Sequence, residues 1–138
     1  MAITQAMVTS FKAEVLDEQH DLAADTIKVA LFTSSASLGA TTTAYATTNE
    51  VSGTGYTAGG VSLTSTTVAT SGTTAYFDAD DPTWTSASFT ARGALIYNGS
   101  NSNKAIAVLD FGADFTIGGG TFKIVFPAAG TSAIVRID

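Results

Sequence analysis

Apolar and polar positions follow a helical period only at the beginning of this chain. Residues 4–17 place apolar side chains at three- and four-residue spacing, which predicts an amphipathic helix. The apolar positions are Met7, Val8, Phe11, Val15 and Leu16. Thr4 precedes them and is the predicted N-cap. No comparable pattern returns, so we expect one N-terminal helix followed by β structure.

The later apolar runs are short and rich in β-branched residues, which favours strands. Runs with a β pattern lie at residues 26–33, 61–68, 75–78, 88–90, 93–98, 105–111, 115–117, 122–126 and 133–137, with Trp84 in a further short run, and we count them as about seven strands. The link at residues 98–103 is rich in Asn and Gly, as is typical of a hairpin turn. About seven strands at this spacing predict an antiparallel β-sandwich or barrel. We expect a single domain over residues 1–138.

Residues 34–60 interrupt this pattern. They show little alternation, contain many turn-forming residues and end in Gly53, Gly55, Gly59 and Gly60. Loops longer than about 15 residues are uncommon in compact domains and are usually functional or bound to something. We therefore predict a long surface loop or arm that is only partly ordered in the free protein.

The charge of the chain is low for a free monomer. Only 13% of the residues are charged, the net charge is -6, and the few Lys and Arg residues are scattered singly. This distribution provides no basic patch for nucleic acid. A monomer usually keeps a more heavily charged surface, so neighbouring copies would cover part of this one in a symmetric oligomer, which we predict to be a homotrimer. The competing interpretation is simply a β protein rich in Thr and Ser. No secretory signal or run of roughly 18 apolar residues is visible, so we expect no membrane partner.

Few residues suggest catalysis or metal binding. His20 is the only histidine, which excludes most catalytic triads and multi-histidine metal sites, and we interpret it as a surface residue. Asp78, Asp80 and Asp81 could gather a hard cation, but Pro82 follows them and no Glu closes the loop. We predict a solvated loop, no metal, no cofactor and no enzymatic activity.

Aromatic residues are the remaining candidates for recognition. Trp84, together with Tyr45, Tyr56, Tyr76 and Tyr97, could form a face that stacks on sugars or anchors a protein partner. Core filling is the competing interpretation, and it is favoured for Trp84 and Tyr97. The candidate interface residues are Phe11, Tyr45, Glu50, Tyr56 and Trp84.

Several short blocks of the chain resemble a known family. They are ITQAM at residues 3–7, SFK at 10–12, IKVALFTS at 27–34, TAY at 43–45, EVSGTGYTAGG at 50–60, ARGALIY at 91–97 and AVLDFG at 107–112. Together they look like small virion structural proteins of tailed bacteriophages, of the capsid cement or head-decoration type found among cyanophage-like genomes. The likeness extends through nearly the whole chain, and residues 50–60 are its most distinctive part.

This resemblance implies a non-enzymatic protein that is made in the host cytoplasm and ends on the capsid surface of the virion. It would stabilise the assembled head through contacts with the major capsid protein and with copies of itself. The alternative is a tail, baseplate or fibre-associated module that recognises host carbohydrate through exposed aromatics such as Trp84. The resemblance leaves head and tail locations open.

Overall fold

The computed structural model describes residues 2–138. In them eight strands form two antiparallel sheets, which one short helix accompanies. The elements are β1 (Ala6–Met7), α1 (Thr9–Leu16), β2 (Ile27–Phe32), β3 (Val61–Ser62), β4 (Thr67–Ser71), β5 (Thr74–Asp78), β6 (Thr83–Asn98), β7 (Lys104–Lys123) and β8 (Val135–Ile137). The large sheet has the order β1-β7-β6-β2-β3 and the small sheet the order β4-β5-β8. The predicted mainly β fold, a sandwich with a single helix, is confirmed.

The long hairpin of β6 and β7 is the centre of the large sheet. Its turn lies at the predicted Asn- and Gly-rich link, where Asn98 pairs with Lys104. β2 adds to the other side of β6, with Ile27 opposite Asn98 and Phe32 opposite Gly93. The hairpin is much longer than expected, because the runs predicted as separate strands on each side of it are continuous.

The middle of the large sheet is buried on both faces. Residues 93–98 of β6 and 105–109 of β7 are buried without a break, although successive side chains of a strand point to opposite faces. Tyr97 stacks on Tyr45 of the long segment, with ring centroids 4.6 Å apart. The next residue, Asn98, bonds His20 in the connector after α1. The large sheet is therefore a middle layer, with the long segment over one face and the helix and connector over the other.

The N-terminal helix is shorter than predicted. Ala6 and Met7 pair instead with Val108 and Ala107 of β7, so the helix begins only at Thr9. Val8 occupies the N-cap position without a side-chain cap, and Thr4 does not cap the helix. Phe11 is the buried residue of α1, whereas Leu16 is 90% exposed, contrary to the predicted apolar face. In residues 2–138 no helix is both long and apolar enough to span a membrane.

The strand boundaries differ from the prediction at two places. The run at residues 61–68 was expected as one strand but divides into β3 and β4, because the backbone of Ser65 between them adopts a φ of 54°. The strand predicted at residues 115–117 does not end there, because the chain continues through the triple glycine at residues 118–120 within β7. Gly118 and Gly120 remain paired with Ser88 and Ala87 on β6, and a register shift bends the hairpin there.

The long segment at residues 34–60 lies along the large sheet. It contains no helix or extended strand, but the amide of Tyr45 donates to the carbonyl of Asn103 at 2.9 Å, and the amide of Val51 to that of Leu31 at 2.9 Å. Ala36 and Val51 are buried. These contacts fasten the segment to the domain, and its partial order in the free protein stays a prediction.

The small sheet buries large apolar side chains on one face. Val68, Phe77 and Val135 lie opposite one another on its three strands, so their side chains share a face. Phe77 and Val135 are buried in the core, while Val68 remains half exposed. One end of this inner face is therefore left uncovered.

Candidate functional site

The carboxylate of Glu50 is the centre of the network that fastens the long segment. Its Oε2 accepts a hydrogen bond from the hydroxyl of Tyr45 at 2.7 Å. Its Oε1 accepts from the hydroxyl of Tyr56 at 2.6 Å and from the amide of Gly59 at 2.7 Å. Three hydrogen-bond donors from residues 45–59 thus satisfy the negative charge of Glu50. These bonds hold residues 45–59 together as a compact unit.

The tyrosines of this network connect it to the sheet. The hydroxyl of Tyr97 donates to the carbonyl of Gly59 at 2.6 Å, and the hydroxyl of Tyr56 accepts from the amide of Leu31 at 2.9 Å. Burial, reinforced by the charge of Glu50, raises the pKa of Tyr97 to about 12. Burial and the hydrogen bond to Glu50 raise the pKa of Tyr45 and that of Tyr56 above the ordinary value. The hydroxyls of Tyr45 and Tyr56 are hydrogen-bond donors to a structural carboxylate, and that of Tyr97 donates to a backbone carbonyl.

The structure brings four of the five candidate interface residues together. Tyr45, Glu50 and Tyr56 share the network, and Trp84 lies beside Tyr56 with ring centroids 6.3 Å apart. Phe11 is elsewhere, on α1, where it is 1% exposed. Trp84 is only 3% exposed, so its ring packs in the core, as core filling predicts. A role for this group in partner contact stays a prediction.

His20 is part of a buried polar junction, so its interpretation as a surface histidine is wrong. Its side chain is 0% exposed. The amide nitrogen of Asn98 donates to Nδ1 of His20 at 3.1 Å, while Oδ1 of Asn98 accepts from the amide of Ser100. Nε2 of His20 therefore carries the proton and donates to Glu14 at 3.0 Å. The sequence gives no local sign of this, because Asn98 lies 78 residues away.

The junction links helix, connector and hairpin turn. Burial would raise the pKa of Glu14, but hydrogen bonds and charge from His20 and Lys104 outweigh it and hold that pKa below its ordinary value. The hydrogen bond from Asn98 lowers the pKa of Asp25. The contacts with Lys104 and Asn98 hold the connector against the turn of the hairpin. The arrangement is structural, since the imidazole is enclosed.

Two of the three carboxylates of the predicted solvated loop make separate contacts, and Asp78 is the last residue of β5. Asp81 accepts from the amide of Phe126 at 2.9 Å and lies 3.7 Å from Nζ of Lys123. Asp80 bonds Thr64 at 3.4 Å. Within residues 2–138 no group of three or more acidic or histidine side chains is arranged to hold a metal ion.

A cleft between the small sheet and the α1 region was not predicted from the sequence. It has a volume of about 610 Å³. Its apolar walls include Phe11, Val15, Leu22, Val68, Phe77 and Ile137, and its charged residues are Glu18, Asp21 and Arg136. Val68 and Ile137 are 52% and 54% exposed. Both residues lie in predicted strands. Whether the inner face of a strand stays uncovered depends on its neighbours in the fold, so the local sequence could not predict the cleft.

A second apolar surface lies at the end of β7 and just beyond it. Phe115 is 50% exposed and Val125 is 73% exposed, and both border one hollow of about 270 Å³. Phe111 and Phe122 pack behind them with ring centroids 5.9 Å apart. We call this surface, defined by Phe111, Phe115, Phe122 and Val125, the apolar corner.

Comparison of the chain with protein-family models, curated proteins and solved structures returned no match. The functional assignment therefore depends on the two exposed apolar surfaces, the low surface charge and the sequence blocks described above.

Proposed function

We propose that this chain is a non-enzymatic virion structural protein, a capsid cement or decoration protein of a tailed bacteriophage. It would stabilise the assembled head through contacts with the major capsid protein and with copies of itself. The observation that carries the proposal is the presence of two separate exposed apolar surfaces, the cleft and the apolar corner, on a weakly charged exterior.

A protein that decorates a shell must contact neighbours on more than one side. A contiguous exposed apolar area on a soluble domain usually marks an interaction site. This chain has two such areas, and only 13% of its residues carry charge to keep copies apart. Two contact surfaces suit a component that bridges one neighbour to another.

The residues that could support other functions are occupied within the domain. His20 is enclosed and bonded on both ring nitrogens, so it offers no general base to a substrate. The carbohydrate-binding alternative has less support, because Trp84 is 3% exposed and presents no open ring to a sugar. A location in the tail or baseplate remains the competing proposal.

Counting this protein in purified virions tests the location. A copy number in simple proportion to the major capsid protein is expected for a cement protein, and an image of the particle at subunit resolution should show it on the head. A copy number that instead follows the tail or baseplate subunits would overturn the head assignment. Treatment with EDTA should leave the protein attached, since we expect contacts rather than metal to hold it.

A further inference from the structure

We propose that the cleft of one copy receives the apolar corner of a second copy, in a head-to-tail contact. The inference deepens the proposed function, on which it rests for the expectation that the chain self-associates. Its test uses purified protein, so its failure is separate from a failure of the assignment to the virion head.

The exposed apolar side chains of the two surfaces favour this pairing. The cleft is concave, and its edges carry the half-exposed side chains of Val68 and Ile137. The corner presents Phe115 and Val125, the second of which is 73% exposed. A symmetric two-fold contact would place the same patch on both copies, whereas a contact between two different surfaces, the cleft and the corner, is heterologous. Burying both removes exposed apolar area from each copy.

Charge complementarity supports a second copy as the occupant. In residues 2–138 no ion pair is formed by the three charged residues of the cleft, which are Glu18, Asp21 and Arg136. The corner includes Lys123, which is 52% exposed. Its contact with Asp81 within the chain is long, at 3.7 Å. Lys123 therefore offers a positive charge to the carboxylates of Glu18 and Asp21 in the cleft of another copy.

A heterologous contact either closes into a ring or extends into a filament. A ring leaves no cleft or corner unoccupied, so contacts with the major capsid protein would use other parts of the weakly charged exterior. The homotrimer expected from the sequence is the smallest ring of this kind beyond a pair. Every protomer in it would contribute its cleft to one neighbour and its corner to the other.

Complementation between two variants is the decisive experiment. Ile137→Asp places a charge in the cleft and leaves the corner intact, whereas Phe115→Asp does the reverse. Light scattering should find each variant monomeric and the wild type oligomeric. An equimolar mixture of the two should give a one-to-one dimer, because one intact cleft then meets one intact corner and no further contact can form.

Several controls keep the result interpretable. Circular dichroism should show both variants folded, and Val68→Asp and Val125→Asp serve as second cleft and corner variants if either is not. Thr48→Asp adds the same charge at an exposed position outside both surfaces and should leave the oligomer intact. Lys123→Glu should weaken the dimer about threefold, as expected for an exposed ion pair.

Three outcomes would overturn the contact. They are a mixture that stays monomeric, single variants that remain oligomeric, and a wild type that is monomeric. A corner that paired with another corner would leave the cleft variant dimeric on its own, which distinguishes that arrangement from the one proposed.

Discussion

The large sheet is covered in two different ways. Over one face lies the long segment at residues 34–60, which has no helix or extended strand but is closed by Glu50 and its three donors. Beside the helix on the other side lies a small sheet with regular strands, which leaves a cleft of about 610 Å³. The irregular layer is tightly fastened and the regular layer is incompletely packed.

The long segment and the small sheet are held in place by different kinds of interaction. A hydrogen-bond network fastens a layer wherever donors and acceptors meet, so a few residues such as Glu50 and Tyr56 suffice. A sheet must instead match its partner over an area, because each uncovered apolar side chain forgoes its burial energy. The strands β4, β5 and β8 have only five, five and three residues, and the area they cover is correspondingly small. Regular secondary structure is therefore no guide to which surface stays open.

Among changes in the long segment at residues 34–60, Gly60→Ala should destabilise the protein most strongly. The backbone of Gly60 has a φ of 76°, and an added Cβ would overlap the carbonyl of Val29. The left-handed conformation costs roughly 1–2 kcal/mol for another residue, and overpacking typically adds about 1–3 kcal/mol. Denaturant unfolding should therefore show a loss of about 3 kcal/mol or more.

Gly72→Ala is the matched control for this substitution. Gly72 has a φ of 60° in the β4–β5 turn, but no atom lies within 4 Å of an added Cβ. Only the conformational cost of roughly 1–2 kcal/mol should appear. Equal losses for the two variants would show that the close approach to Val29 does not matter.

Glu50→Ala should have the next largest effect. It leaves two tyrosine hydroxyls and the amide of Gly59 without their acceptor. An unsatisfied buried donor costs about 1–3 kcal/mol, so chemical denaturation should show a loss of about 2–3 kcal/mol. Tyr56→Phe should lose about 1 kcal/mol, and Tyr76→Phe, outside this network, should change little.

The same network affects how the interface hypothesis can be tested. Because Tyr56 bonds both Glu50 and the sheet, Tyr56→Ala would destabilise the domain itself. Loss of that variant from particles would not separate interface contact from folding. Surface variants such as Phe115→Asp, at half-exposed positions, are cleaner tools.

Local patterns predicted the elements well and their packing poorly. The two-residue alternation identified β2, β5 and the β6–β7 hairpin, because alternation and turn residues are local properties. The burial of His20 by Asn98 and the closure of residues 34–60 by Glu50 depend on contacts between distant parts of the chain or within an aperiodic stretch. Ala6 and Met7 fit a helical pattern but pair with β7, so tertiary contact decided their conformation.

Alkaline pH should weaken the attachment of the long segment to the large sheet. The folded-state pKa of Tyr97 is raised to about 12 from an ordinary value of 10.0, so the folded state holds its proton more tightly than the unfolded chain. The resulting stability is complete below pH 10.0 and is lost as pH rises towards 12. Tyrosinate absorbance should show late titration of Tyr45, Tyr56 and Tyr97, and the melting temperature should fall over the same range. If Tyr45, Tyr56 and Tyr97 lose their protons in the folded protein at the same pH as in the unfolded chain, the hydrogen-bond network around Glu50 is contradicted.

The smallest effect on stability should come from a change at the exposed edge of the small sheet. Val68→Thr removes apolar character at the edge of the cleft, where the side chain is 52% exposed, so the free energy of unfolding of the monomer should change by no more than about 0.5 kcal/mol. Phe77→Ala, opposite it in the same sheet but buried, should cost about 3–5 kcal/mol. Both measurements need the monomeric Phe115→Asp background, in which self-association cannot stabilise the fold. A large loss for Val68→Thr there would mean that the cleft is closed within the chain, and that the small sheet covers the core as completely as the long segment does.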